Sequence, residues 1–194
     1  MKNKTAKLQI FGFFLILVMI VVFRNLYNIT GGALLGILFG SVNDSIWEQT
    51  KIVMLSYLAW SLTEATGKKS GFHRFAVARI ISLWFLGAAC ISSYLLILAL
   101  GGENVFLARF LFASLSCAAA FAVSNHIEYS SLKTEQLFLP CLFLMLLFIA
   151  LYCSFTVFPP HMVIFEDTAT GMYGIIPDYI DSGAIALDTM YRVR

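Results

Sequence analysis

Residues 77–100 read VARIISLWFLGAACISSYLLILAL, 24 residues with a single charge, Arg79. As an α-helix this run rises about 36 Å, against a bilayer hydrocarbon core of roughly 30 Å. It is apolar on every side, so no amphipathic surface helix accounts for it. Two runs of the same kind follow. Val105 to Val123 is interrupted only by Arg109 near its start. Leu137 to Phe158 ends at Pro159-Pro160 and carries Pro140 in its expected first turn, where a missing N–H costs little. A fourth run, Leu8 to Phe23, comes first, preceded by Lys2, Lys4 and Lys7. A secretory leader is the alternative there. The apolar run is long for one, and Arg24-Asn25-Leu26-Tyr27 offers no small-residue cleavage site, so a retained helix is expected.

Composition agrees. Of 194 residues, 60% are hydrophobic and 12% charged, whereas a soluble domain carries about 25% charged residues to cover its surface. The lipid bilayer is therefore the partner that the sequence demands. A net charge of +2 with no basic stripe excludes nucleic acid as a partner class. Cys90, Cys117, Cys141 and Cys153 all lie in apolar runs and read as small packing residues rather than a disulfide framework. No histidine pair or other cofactor motif occurs within the spans, so no cofactor is expected.

Two stretches between the first run and residue 77 are less plain. Gly31 to Gly40, GGALLGILFG, is apolar but only ten residues long, half a bilayer core, and reads as a half-segment or re-entrant piece. Ser41-Val-Asn-Asp-Ser-Ile-Trp-Glu follows. Asn43, Asp44 and Ser45 are all good N-cap residues, and Ser45-x-x-Glu48 matches a capping box. A helix is expected from residues 43–45 to about Ala65, stopped by Gly67. Its purely apolar part, Ile52 to Leu62, is too short to span, so the helix must take Glu48 and Lys51 into the membrane. The fold class is then all-α integral membrane protein: five transmembrane helices, six if the Gly-rich segment crosses. Residues 1–158 form the bundle and 159–194 a tail, of which 159–176 is expected to pack on the bundle.

Asp44, Glu48 and Lys51 fall at i, i+4 and i+7, one helical face. A charge in hydrocarbon costs about 3 kcal/mol or more unless paired or wetted, so that face must look inward. Two readings stand side by side. In one, Glu48 caps the helix and pairs with Lys51 while Asn43 and Ser45 satisfy free N–H groups. In the other, Asn43, Asp44, Ser45, Trp47, Glu48 and Lys51 join His161, Asp167 and Tyr173 of the tail as a binding site. His161, Glu48 and Asp167 are a weak metal-ligand set, of a kind suited to zinc or manganese. The bland readings of the other groups are a solvated His73, an interfacial His126 with Glu128, and packing or belt roles for Trp47, Tyr57 and Trp60. Asn28-Ile-Thr30 and Asn43-Asp-Ser45 match the glycosylation triplet, which chance also supplies, and the second is needed for capping.

The residues 41–51, SVNDSIWEQTK, with Phe155-Thr-Val-Phe-Pro-Pro-His and Thr170-Gly-Met-Tyr-Gly-Ile, resemble a family of small bacterial multi-pass membrane proteins, domain of unknown function 6512. The resemblance covers about residues 8–176. The family pattern is V-N-[ED]-S-x-W-E-H and P-P-H…D-P-x-x-G-x-Y-G. Here Gln49 stands in place of the histidine, which weakens the metal reading, and Thr168 or Ala169 in place of the proline. The resemblance implies the topology and the place of the site but no activity. Three functions remain: a protein that binds or passes a small solute or ion, an accessory or assembly subunit with an unidentified membrane partner, and a membrane-embedded enzyme acting on a lipid or envelope precursor through carboxylates.

Lysine and arginine set the expected orientation. With the N-terminus in the cytoplasm, Lys2, Lys4, Lys7, Lys68, Lys69, Arg74, Arg79 and Lys133 lie inside, and Arg24, Arg109, Arg192 and Arg194 outside, eight against four. Five spans then put the tail, and the Asn43–Lys51 cluster, at the outer face of the cell membrane. Accessibility labelling of an Ile185→Cys variant checks this; modification only from the cytoplasmic side overturns it.

Overall fold

The computed structural model describes residues 2–67, 71–101 and 106–176. Lys68, Lys69 and the tail beyond Ile176, including Asp178, Asp181, Asp188, Arg192 and Arg194, lie outside the described residues. Among the described residues the chain is helical, with no strand beyond an isolated bridge between Glu166 and Tyr173. The helices are α1 (Lys2–Ile29), α2 (Leu34–Phe39), α3 (Ile46–Thr66), α4 (Phe72–Ala99), α5 (Phe106–Tyr129) and α6 (Thr134–Val157), followed by a 3-10 turn (Val163–Phe165). Four of them, α1 from Leu8, α4, α5 from Leu107 and α6, are long and apolar enough to cross a membrane.

α3 is the centre of the bundle. Thirteen of its 21 residues are buried, and it packs against α1, α4 and the tail's 3-10 turn. The core cluster that holds Tyr57 and Trp60 also takes in Ile16 and Ile20 from α1, Leu83, Leu86, Cys90 and Tyr94 from α4, and Cys117 and Phe121 from α5. The surrounding helices turn apolar residues outward: Phe14 and Val18 on α1, Leu111 and Leu115 on α5, Leu139, Phe143 and Leu146 on α6. In water such a surface would be a large exposed apolar patch; against lipid tails it is the expected exterior. Cys90, Cys117 and Cys141 are buried among apolar neighbours, and Cys153 is exposed on α6.

The Gly-rich segment is a single six-residue helical piece. Gly31 and Gly32 have φ of +62° and +74°, a left-handed conformation that reverses the chain at the end of α1. α2 then folds back onto α1, so closely that a Cβ on Gly36 would stand 2.9 Å from Tyr27 Cα. The Tyr152 hydroxyl donates to the Leu38 carbonyl at 2.5 Å and fastens α2 to α6.

Two expectations shift. α4 starts at Phe72, not Val77, so Arg79 is a helix-interior residue, buried beside Glu64, rather than one at the helix start. α6 starts at Thr134, so Pro140 lies in its second turn, where the Gln136 carbonyl loses the N–H it would otherwise receive.

The closest helix–helix approach is set by small residues. A Cβ on Gly12 would fall 2.2 Å from the Trp60 ring, and one on Gly87 2.7 Å from Met54 Sδ, the end of a flexible side chain. Gly12→Ala is therefore expected to destabilise by about 1–3 kcal/mol, and Gly87→Ala by less. Thermal unfolding in detergent checks the order; equal melting points for Gly12→Ala and the parent would remove the α1–Trp60 contact from the account.

Candidate functional site

The site is built from the backbone of residues 41–45. Ser45 is the N-cap of α3, with φ −67° and ψ 157°, and its Oγ accepts from Glu48 N at 3.2 Å. In a capping box the Glu48 side chain would reach back to Ser45 N. Here the Asn43 Oδ1 takes that N–H at 3.0 Å, and Glu48 Oε2 accepts instead from Val42 N at 3.0 Å. The cap thus reaches one residue pair further upstream than the motif implies. Ser41 Oγ donates to the Asn43 carbonyl at 2.7 Å and closes the loop on itself.

Glu48 and Lys51 form a sealed ion pair. Nζ lies 2.6 Å from Oε2, with both side chains essentially without solvent. Lys51 also donates to Thr156 Oγ1 on α6 at 3.1 Å and sits 5.3 Å from the centre of the Tyr152 ring. The expected single face of Asp44, Glu48 and Lys51 is not formed. Asp44 precedes the N-cap, and the extended backbone of Ser45 breaks the helical period there. Asp44 turns the other way and meets Arg24 of α1 at 3.1 Å, with both side chains partly exposed. Trp47 packs between Phe155 and Phe165, its ring centre 5.3 and 5.5 Å from theirs.

The tail lies over this helix start. Asp167, 1% exposed, accepts from Asp44 N at 2.8 Å through Oδ1, and from Thr170 N and Oγ1 at 2.9 and 2.6 Å through Oδ2. Asn43 Nδ2 donates to the Gly174 carbonyl at 2.8 Å, and Thr168 Oγ1 to the Asp44 carbonyl at 3.4 Å. The same carbonyl accepts from Gln49 Nε2 at 3.2 Å. Tyr173 donates to Glu166 Oε2 at 3.1 Å and stacks edge-on with His161, ring centres 4.8 Å apart. Desolvation, then the hydrogen bond to Glu166 and that carboxylate's charge, hold the Tyr173 phenol above its usual range, so it remains a donor. His161 is exposed. It does not converge with Glu48 and Asp167, and among the described residues no three His, Cys, Asp or Glu side chains are placed to share a metal.

Cavities open beside the sealed pair rather than at it. One of about 320 Å³ is lined by Arg24 and Asn25 of α1, Gln49, Ile52 and Val53 of α3, Tyr94 of α4, and Arg109 and Ala113 of α5. A second, about 220 Å³, shares Arg24 and Asn25 and adds Asn28, Ser41, Asn43 and Asp44. A third, about 290 Å³, lies under the tail and brings Arg109 together with Ile46, Glu166, Asp167 and Thr168. Arg24, Asn25, Gln49, Tyr94 and Arg109 were not singled out by the sequence as site residues. The one available signal was Arg109, an arginine inside an apolar run.

The chain belongs to a family of unknown function, DUF6512, whose model matches residues 1–175. No curated protein and no solved structure matches it.

The pair predicts a double-mutant pattern. Lys51→Met leaves a buried carboxylate uncompensated and is expected to cost about 3–5 kcal/mol. Adding Glu48→Gln removes that charge and should recover most of the loss. Unfolding midpoints of both singles and the double check it; strictly additive losses would mean that the two side chains are not coupled.

Proposed function

We propose that the protein is a non-enzymatic, multi-pass membrane protein that binds a small solute at the outer mouth of a five-helix bundle. In this reading α3 is the fifth span. Its 21 residues rise about 32 Å, and its charges are met by partners inside the bundle, which is how a charged helix crosses lipid. The N-terminus lies in the cytoplasm and the tail outside, as the basic residues suggest.

The observation that carries the reading is the pair of cavities meeting at Arg24 and Asn25 at the start of α3. The larger holds a few polar groups on an otherwise apolar lining, the usual make-up of a small-molecule site, and the smaller is lined by polar residues throughout. The carboxylates argue against acid–base catalysis. Glu48 is sealed from solvent, with Oε2 held by Lys51 and Val42 N, and lines none of these cavities, while Asp167 is held by three donors, so neither is placed to exchange a proton with a substrate.

Access is testable at Ala113, 1% exposed yet part of the 320 Å³ cavity wall. With the exposed Cys153 replaced by alanine, Ala113→Cys in phosphatidylcholine nanodiscs is expected to react with a small, membrane-impermeant sulfonate thiol reagent. Leu115→Cys, which faces outward, should not. An Ala113→Cys that stays unmodified would mean that no water-borne solute enters, and the reading falls.

A further inference from the structure

The cavity shared by Arg24 and Arg109 has a charge pattern that selects its occupant. Arg109 is 6% exposed and, among the described residues, makes neither a hydrogen bond nor an ion pair. Its guanidinium carries five N–H donors and cannot shed its charge. No carboxylate lines the 320 Å³ cavity; its charged groups are Arg24 and Arg109. Arg24 has Asp44 beside it, so the uncompensated charge is at Arg109. The nearest acidic groups from the other side, Glu166 and Asp167, line the cavity beneath the tail but form no pair with Arg109. The hydroxyl of Tyr94, another wall residue, has no hydrogen-bond partner among the described residues either. Donors therefore converge on this space. A cation is excluded by charge, and an anion would satisfy them.

The rest of the wall is apolar: Ile20, Val21, Ile52, Val53, Phe110 and Ala113. Val21 and Asn25 are exposed, so the cavity opens at the surface between α1 and α5. Beside that seam Val18 and Val22 of α1 and Leu107 and Leu111 of α5 face outward. A charged head seated on the arginines would have its chains emerging directly onto a lipid-facing surface.

Resting on the binding reading above, we infer that the ligand is an anionic amphiphile: the phosphate of an anionic phospholipid sits on Arg109 and Arg24, and its acyl chains leave through the α1–α5 seam. Fork geometry suits a guanidinium to two phosphate oxygens.

Purified protein, stripped of lipid in a neutral detergent, is titrated with phosphatidylglycerol, phosphatidylcholine and inorganic phosphate. Lipid retention is read by native mass spectrometry and occupancy by protection of Ala113→Cys from the thiol reagent. The expected result is a preference for phosphatidylglycerol over phosphatidylcholine of about 10-fold or more, and protection of Ala113→Cys by phosphatidylglycerol alone. Arg109→Gln should bring the preference close to unity. Arg24→Gln, at a partly exposed position, should lower it severalfold and serves if Arg109→Gln does not fold. Equal retention of the two lipids, an unchanged preference in the variants, or protection by inorganic phosphate without lipid preference would each overturn the amphiphile. An Ala113→Cys that is reactive without lipid but never protected would do so while leaving the solute site intact.

Discussion

One carboxylate oxygen holds the architecture together. Glu48 Oε2 receives both the Lys51 ammonium and the Val42 amide, and Lys51 in turn binds Thr156. The loop before α3, α3 itself and the end of α6 are thereby tied to a single point. The constraint is severe because a lysine 1% exposed in the middle of an apolar bundle is tolerated only with its counter-charge in contact. The pair fixes where α3 begins, since Glu48 must stand three residues past its cap to reach back to Val42. It also explains why the chain approaches α3 through a non-helical loop: a continuous helix through residues 40–48 would leave no free Val42 N–H to receive.

The tail's position follows from the same helix start. A helix N-terminus presents amide groups that its own residues cannot satisfy. Ser45 and Asn43 take two of the donors near this end, and Asp167, more than a hundred residues away, takes the Asp44 amide. Asp167 is locked by its own turn through Thr170, and Asn43 holds the Gly174 carbonyl. The tail is therefore docked by hydrogen bonds to main chain, with Phe165 against Trp47 and Phe155 as its apolar foot. This docking roofs the cavity in which Arg109 meets Ile46 and Asp167.

Much of this is written locally in the sequence. Apolar length marks α1, α4, α5 and α6, and the spacing of Ser45 and Glu48 marks the start of α3. The shortness and glycines of residues 31–40 mark a piece that cannot stand as a full helix. What is not local is hidden. Asp44 leaves the Glu48–Lys51 face because the cap residue is extended, a one-residue effect that a helical wheel starting at residue 43 misses. The arginines are the clearest case. Arg79 and Arg109 each sit near the start of an apolar run, with no acidic residue three or four positions away on either side. By sequence they are the same object, a topology charge. Arg79 finds Glu64 on α3, and Arg109 finds no acceptor among the described residues. Partners on another helix decide between them, and only the packed bundle reveals which arginine is closed.

That difference separates a structural layer from a binding one. At the end of the bundle away from the α3 N-terminus, Gln9 and Asn125 exchange amide hydrogen bonds at 2.5 and 3.0 Å. Arg79 bonds Glu64 and, at 3.0 Å, the Tyr57 hydroxyl, with the rings of Tyr57, Phe75 and Phe121 within 5.5 Å of its guanidinium carbon. Only its Nε is left over. The charge of Arg79 is thus met within the chain, and a buried arginine met in this way serves packing. At the α3 end Glu48 pairs with Lys51 through Oε2, leaving Oε1 without a hydrogen-bond partner, and Arg24 pairs with Asp44, while Arg109 and the Tyr94 hydroxyl stand open on a shared cavity. Stability alone does not call for a largely buried guanidinium with no acceptor among the described residues, since an apolar side chain of similar size would pack there at lower cost. In the proposal above, an anion from outside the chain supplies that acceptor.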